Sequence, residues 1–116
     1  MRIRLFAGLG FAVGISFFAL SAQSQAEQKS AEEQKLVSDG KSLFVAQAIP
    51  ACAVCHRLKH ASAVGEIGPS LDELMPDAMR VEAAVKNGIG LMPAYTGLSA
   101  AQIKLLAEYV ARVAGK

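Results

Sequence analysis

The chain has 116 residues, and its 12 basic and 10 acidic residues give a formal net charge of +2. This length accommodates one domain and no more. So small a charge excludes the strongly basic footprint by which nucleic-acid-binding domains are recognised.

Residues 1–26 have the composition of a secretory signal peptide. Two arginines open the chain, a nearly uninterrupted apolar run extends from Leu5 to Leu20, and Ser24–Ala26 is small and polar. The alternative is an N-terminal membrane anchor, but a bilayer span needs about 20 apolar residues and this run is shorter. We therefore expect export, cleavage after Ala26 and a mature domain of residues 27–116.

Removal of the leader would change both charge and aromatic content. Without Arg2 and Arg4, ten basic and ten acidic residues remain, so the mature net charge is zero. Four of the five phenylalanines lie in the leader, which leaves Phe44, two tyrosines and no tryptophan. Such a small domain has a marginal core by itself, and a large buried cofactor would supply the missing apolar body.

The first predicted helix of the mature domain spans residues 31–46. Ser30 and Glu33 have the spacing of a capping box, apolar residues at helical spacing follow, and Ile49-Pro50 ends the pattern. Gly40 lies inside this helix, where glycine costs about 1 kcal/mol relative to alanine. We therefore expect another helix to pack closely against Gly40.

The next segment, Cys52-Ala53-Val54-Cys55-His56, has the C-x-x-C-H pattern of covalent c-type haem attachment. The two thiols can add to the two vinyl groups of haem, and the adjacent imidazole can bind the iron. A thiol-redox or metal module that uses the same two cysteines is the alternative. Neither a βαβ pattern nor a second cysteine pair accompanies the motif, which disfavours that alternative.

The remainder of the chain predicts two further helices separated by loops. Gly65–Pro69 has the composition of a loop, and a short helical turn is expected over Ser70–Met75. A helix opens at Pro76 or Asp77 and stops at Gly88. No segment alternates strongly enough to predict a strand, so the expected fold class is all-α.

The last helix is marked by signals at both of its ends. Ser99 and Gln102 form a capping-box pattern at its start, and Gly115 closes it. Between them, apolar residues recur at helical spacing along one face, which predicts that this helix buries that face in the core.

A haem iron bound by His56 has a second axial position to fill. The candidates are Met75, Met79, Met92, His60, or no protein ligand at all. For Met75 and Met79 the simpler interpretation is packing. His60 follows His56 by four residues, which places it near the attachment side, and an exposed, solvated histidine is the simpler interpretation there.

Met92 is favoured because of the loop that carries it. Gly88 and Gly90 precede it and allow close approach of the backbone to a flat cofactor. Pro93 follows and fixes the direction of the chain just beyond the candidate ligand. We therefore expect the Met92 thioether to be the second axial ligand.

Taken together, these features resemble a class I mono-haem c-type cytochrome of the small bacterial periplasmic type, over about residues 36–114. Two departures accompany the resemblance: Pro50-Ala51 precedes the first cysteine where the family has a small residue such as glycine, and the segment from His56 to Met92 is short. The segments that carry the resemblance are Gly40–Phe44, the C-x-x-C-H motif, Gly68–Leu71, Met92-Pro93 and Leu106–Val110.

The resemblance implies the cytochrome c fold, with three to four helices wrapped around one covalently attached haem. The first and last helices of this fold cross, which would bring Gly40 and Phe44 against Leu106 and Tyr109. Such a crossing would account for the glycine in the first helix.

The same resemblance assigns the site residues. Haem c would be bound through Cys52 and Cys55, and His56 and Met92 would be its axial ligands. Pro69 would offer its carbonyl oxygen to the ring nitrogen of His56 that does not bind iron, and Leu71 would pack on the haem edge.

The implied function is one-electron transfer in the periplasm, without catalysis by the chain itself. Its partners would be redox proteins: a periplasmic dehydrogenase or reductase as donor and a terminal oxidase or reductase as acceptor, with no nucleic acid and with membrane contact only through an uncleaved leader. The Gly88–Tyr95 loop also resembles the small cytochrome subunits of periplasmic sulfite dehydrogenases, so a haem subunit of a dehydrogenase complex is one alternative. A haem enzyme or ligand sensor with Met92 displaced is another.

Overall fold

The computed structural model describes residues 17–116. The chain divides into two compact units, residues 1–31 and 32–116. Residues 1–16, and with them most of the expected leader, lie outside the described part. From Phe17 onward, no helix combines the length and the apolar character that a membrane crossing requires.

Helix α1 spans Phe17–Ser42, so the predicted helix start after Ser30 is wrong. The Ser30 hydroxyl donates to the carbonyl oxygen of Glu27 at 2.8 Å instead of capping a helix N-terminus. The residues around it are mostly alanine, glutamine, glutamate and lysine, which are strong helix formers, so nothing in the sequence interrupts the helix.

The end of the first helical region agrees with the prediction to within a residue or two. A π-helical segment, Leu43–Gln47, continues α1 and buries Leu43 and Phe44. Ala48 has extended backbone angles, and the chain then reaches Pro50, which favours an extended conformation in the residue before it. The helix therefore stops directly before the C-x-x-C-H motif.

The motif begins a short helix and a small hairpin. Arg57 pairs with Val64 and Leu58 with Ala63 in an antiparallel arrangement. The prediction that the chain has no strand is therefore wrong, but each strand has only two residues, too few to show alternation in the sequence. The elements are α2 (Cys52–Cys55), β1 (Arg57–Leu58), a 3₁₀ turn (Lys59–Ala61) and β2 (Ala63–Val64).

The remaining helices begin within about two residues of their predicted starts. Helix α3, Leu71–Leu74, follows Ser70, and helix α4, Ala78–Asn87, follows Asp77, which accepts a hydrogen bond from the Arg80 amide at 2.8 Å. Helix α5 spans Ala100–Val113 and starts with the expected capping box between Ser99 and Gln102.

The crossing of the first helical region with α5 occurs at Gly40. A β-carbon on Gly40 would lie 2.3 Å from the Tyr109 β-carbon, so only glycine permits this approach. Tyr109 is fully buried, and its ring lies 6.2 Å from that of Phe44 between centroids. The expectation that a helix packs closely against Gly40 is confirmed.

Candidate functional site

A cavity of about 400 Å³ opens between the motif, α3, α4, α5 and the loop before α5. Its walls are mostly apolar: Phe44 and Leu71 contribute from the buried core, and Val81, Val85 and Leu106 from the helices. A cavity of this kind accepts a large apolar group, provided that polar groups are present to hold it in place.

The motif supplies such groups. Cys52 and Cys55 lie one helical turn apart on α2, and both border the cavity together with His56. Burial raises the pKa of the Cys52 thiol to about 11, against an opposing hydrogen bond from Tyr95. The free thiol is therefore protonated at neutral pH.

The His56 ring is held by a backbone carbonyl. Its Nδ1 lies 2.8 Å from the carbonyl oxygen of Pro69. Because a carbonyl oxygen only accepts, Nδ1 carries the proton of the neutral ring, and in that tautomer Nε2 has the lone pair. The Gly68 amide in turn donates to the Cys55 carbonyl oxygen at 2.7 Å, which fixes the loop that presents Pro69. An imidazole oriented in this way is suited to binding a metal through Nε2.

Gly68 packs directly against this ring, and its replacement should disturb the site. In Gly68→Ala, the new β-carbon would meet His56 Cε1 at 2.5 Å, so the ring or the loop has to move. We expect the Pro69 hydrogen bond to lengthen and the stability of the holoprotein to fall by about 1–3 kcal/mol, with a shifted visible spectrum. In Gly97→Ala nothing lies within 4 Å of the added β-carbon, so it is the control. Equal spectra and unfolding midpoints for the two variants would argue against tight packing at Gly68.

Met92 borders the same cavity from a constrained loop. Ile89 and Met92 exchange two backbone hydrogen bonds, at 3.0 and 2.9 Å, around Gly90 with its positive φ of 56°. Gly88 also has a positive φ, and a β-carbon there would lie 2.7 Å from the Met92 carbonyl oxygen. The two glycines therefore permit the turn that brings Met92 to the cavity.

The other candidate ligands do not border the cavity. Met75 and Met79 are 65% and 81% exposed. His60 is exposed, as expected, but it is not simply solvated: its Nδ1 is hydrogen-bonded to the Tyr109 hydroxyl at 2.9 Å. Burial, with a smaller contribution from Asp72, raises the pKa of Tyr109 to about 12, so this phenol stays neutral at physiological pH.

Three further residues were missed by sequence reasoning. Tyr95 donates from its hydroxyl to the Pro50 carbonyl oxygen at 2.9 Å, beside the motif, and burial raises its pKa to about 12. Asp72 accepts from the amides of Lys59 and Gly115 at 2.7 and 3.0 Å.

Arg80 is the third of these residues, and it borders the cavity from α4. The hydrogen-bond partners of Tyr95 and Asp72 are distant in sequence, so neither residue belongs to a local motif. The local pattern around these two residues therefore could not have predicted their contacts.

The residues around the cavity fit a covalently attached haem. Two thiols, an oriented imidazole and a thioether all border one apolar space. By contrast, no group of three or more histidine, cysteine, aspartate or glutamate side chains that could hold a bare metal ion occurs within residues 17–116.

Comparisons with known proteins agree with this fit. A family model described as cytochrome C oxidase, cbb3-type, subunit III, matches residues 35–110, which is more than half of the chain. The solved structure of the c-type cytochrome SorU from Sinorhizobium meliloti is similar at 51% sequence identity and a TM-score of 0.70. The similarity covers 72% of this chain and 95% of that one, and it confirms the predicted fold. No curated protein matches the chain.

Proposed function

From the premise that the chain belongs to the c-type cytochromes of this family and carries haem c through Cys52 and Cys55, we propose that it is a periplasmic one-electron carrier with His56 and Met92 as axial ligands. The observation that carries the proposal is that His56, oriented by Pro69, and Met92 border the same cavity as the two cysteines.

The residues of the chain would tune a one-electron couple that the haem iron supplies when it is bound. His56 would hold the iron through its Nε2 lone pair, and the Pro69 carbonyl would strengthen this donation through Nδ1. The Met92 thioether is a soft ligand that favours ferrous iron and raises the potential. The apolar walls, including Leu71, would exclude water from the haem and disfavour the additional charge of the ferric state.

Electron transfer of this kind requires no acid or base from the chain, so we propose no catalytic residue. A haem enzyme that cleaves peroxide would need a histidine and an arginine on the substrate side. Among the residues that border the cavity, His56 is the single histidine, and it is engaged by Pro69. Arg80 borders the cavity, but no second histidine accompanies it there. This favours an electron carrier over a peroxide-cleaving enzyme.

We also propose that the chain is exported to the periplasm. The basic start, apolar run and Ser24–Ala26 segment of the sequence support a leader that is cleaved after Ala26. The mature domain, residues 27–116, would then work in the periplasm, where membrane contact would require an uncleaved leader.

Exposed apolar side chains at the cavity support contact with redox proteins. Ile67, Ile89 and Leu91 all border the cavity and are 68%, 67% and 93% exposed. Exposed apolar side chains beside a cofactor site would be suited to brief, weak contact with a partner protein. The likeness of the Gly88–Tyr95 loop to the cytochrome subunits of sulfite dehydrogenases favours such an enzyme as the electron donor.

Leu91→Gln tests this surface. With sulfite dehydrogenase and sulfite as the electron source, we expect the reduction rate in rapid mixing to fall about threefold to tenfold, with the reduction potential unchanged. Val64 is 77% exposed and does not border the cavity, so Val64→Gln is the matched control and should leave the rate within about twofold of the unmodified protein. Equal reduction rates for the two variants would contradict the proposal that the partner protein contacts these apolar side chains. Failure of the unmodified protein to accept electrons would contradict this donor.

A further inference from the structure

One permanently charged side chain stands out at the cavity. Arg80 is the single lysine, arginine, aspartate or glutamate among the residues that border it. It shares one face of α4 with Val81, Ala84 and Val85, which also border the cavity. Glu82 and Lys86 of the same helix do not border it. The amphipathic pattern of α4 therefore places a cation where an apolar residue would be expected.

The guanidinium of Arg80 has no acidic partner among residues 17–116. Its backbone amide, and not its side chain, is bound by Asp77. The other two arginines of this part of the chain behave differently: Arg57 pairs with Glu66 and Arg112 with Glu33, each at 2.7 Å. Arg80 is thus the one described arginine whose charge no side chain of the protein compensates.

Haem c brings carboxylates to this apolar space. Each of its two propionates is an anion, and a carboxylate at the edge of an apolar cavity is costly unless it is paired and hydrogen-bonded. The planar guanidinium fork matches a carboxylate through two parallel hydrogen bonds. We propose that Arg80 binds a propionate carboxylate of the haem and thereby raises the reduction potential. The inference depends on haem c itself, and neither on Met92 ligation nor on the identity of the partners.

The direction of the effect follows from the charges. A propionate without Arg80 leaves an uncompensated negative charge that favours the more positive ferric state, so the potential falls when Arg80 is removed. In Arg80→Gln we expect the equilibrium constant for reduction to fall about threefold to tenfold. Arg80→Lys keeps the charge without the fork and should show a smaller fall.

Lys86→Gln is the matched control, because it removes one positive charge from the same helix away from the cavity. Lys86 is half-exposed and lies 3.9 Å from Glu82. We expect less than a twofold change in the equilibrium constant for this variant. Visible spectra of all variants should be unchanged, which separates the charge effect from a loss of axial ligation. The proposal would be overturned if the equilibrium constant for reduction changed no more in Arg80→Gln than in Lys86→Gln. It would also be overturned if this constant fell as much in Arg80→Lys as in Arg80→Gln.

A second measurement uses the unmodified holoprotein. Pairing with a carboxylate should slow the exchange of the Arg80 Nε proton with water, as seen by NMR, relative to a free arginine side chain. Exchange as fast as that of free arginine would equally overturn the proposal.

Discussion

Replacement of Met92 by alanine should lower the reduction potential of the holoprotein by on the order of 100 mV, within the range of about 0.8 V over which axial ligands set haem potentials. As the proposed ligand, the thioether would favour ferrous iron, and its loss would leave a vacant or differently occupied sixth position. The visible spectrum of the ferric protein should change to a high-spin form or to that of another ligand. Potentiometric titration and absorbance measure both effects on one sample.

Met79→Ala is the matched control for this substitution. Met79 is 81% exposed and does not border the cavity, so its removal should change neither spectrum nor potential. An unchanged spectrum and potential in Met92→Ala would show that Met92 is not the ligand. A spectral change in Met79→Ala instead would move the assignment to that residue.

The second large effect is expected at the helix crossing. In Gly40→Val the β-carbon would lie 2.3 Å from the Tyr109 β-carbon and 2.6 Å from its γ-carbon, and the branched side chain has little freedom to relieve the clash. Overpacking of this kind costs about 3 kcal/mol, more than the gain in helix propensity, which is below about 1 kcal/mol when valine replaces glycine. Urea unfolding followed by circular dichroism should show a net loss of about 2 kcal/mol or more.

Gly97→Val distinguishes this clash from a general effect of glycine replacement. A β-carbon at Gly97 has nothing within 4 Å and the position has no positive φ, so we expect stability within about 0.5 kcal/mol of the unmodified protein. If Gly40→Val unfolded at the same urea concentration as Gly97→Val, the close crossing of the terminal helices would be disproved.

The features that sequence predicts well here are local ones. The C-x-x-C-H spacing is itself the chemical requirement of haem attachment, so it needs no tertiary information. The cap at Ser99 satisfies an amide three residues away, so it too can be predicted from local sequence. Gly40 is informative because its cost in a helix has to be offset by packing.

The features that the sequence does not predict are contacts between distant residues, very short strands and the start of a helix. The His60–Tyr109 hydrogen bond joins residues 49 apart, and Asp72 reaches Gly115 across 43 residues. The two strands have only two residues each, too few for an alternation of apolar and polar residues to appear in the sequence. The start of α1 was misplaced because several good helix formers precede Ser30, and a capping residue does not stop a helix that its neighbours favour.

The most direct test of the central proposal is a redox titration of the purified holoprotein, followed through its visible spectrum. A His/Met-ligated carrier predicts a single reversible one-electron transition. Its ferric form should be low-spin and show the weak red band of methionine-to-iron charge transfer. A high-spin ferric spectrum without that band would contradict Met92 ligation and the proposed carrier together.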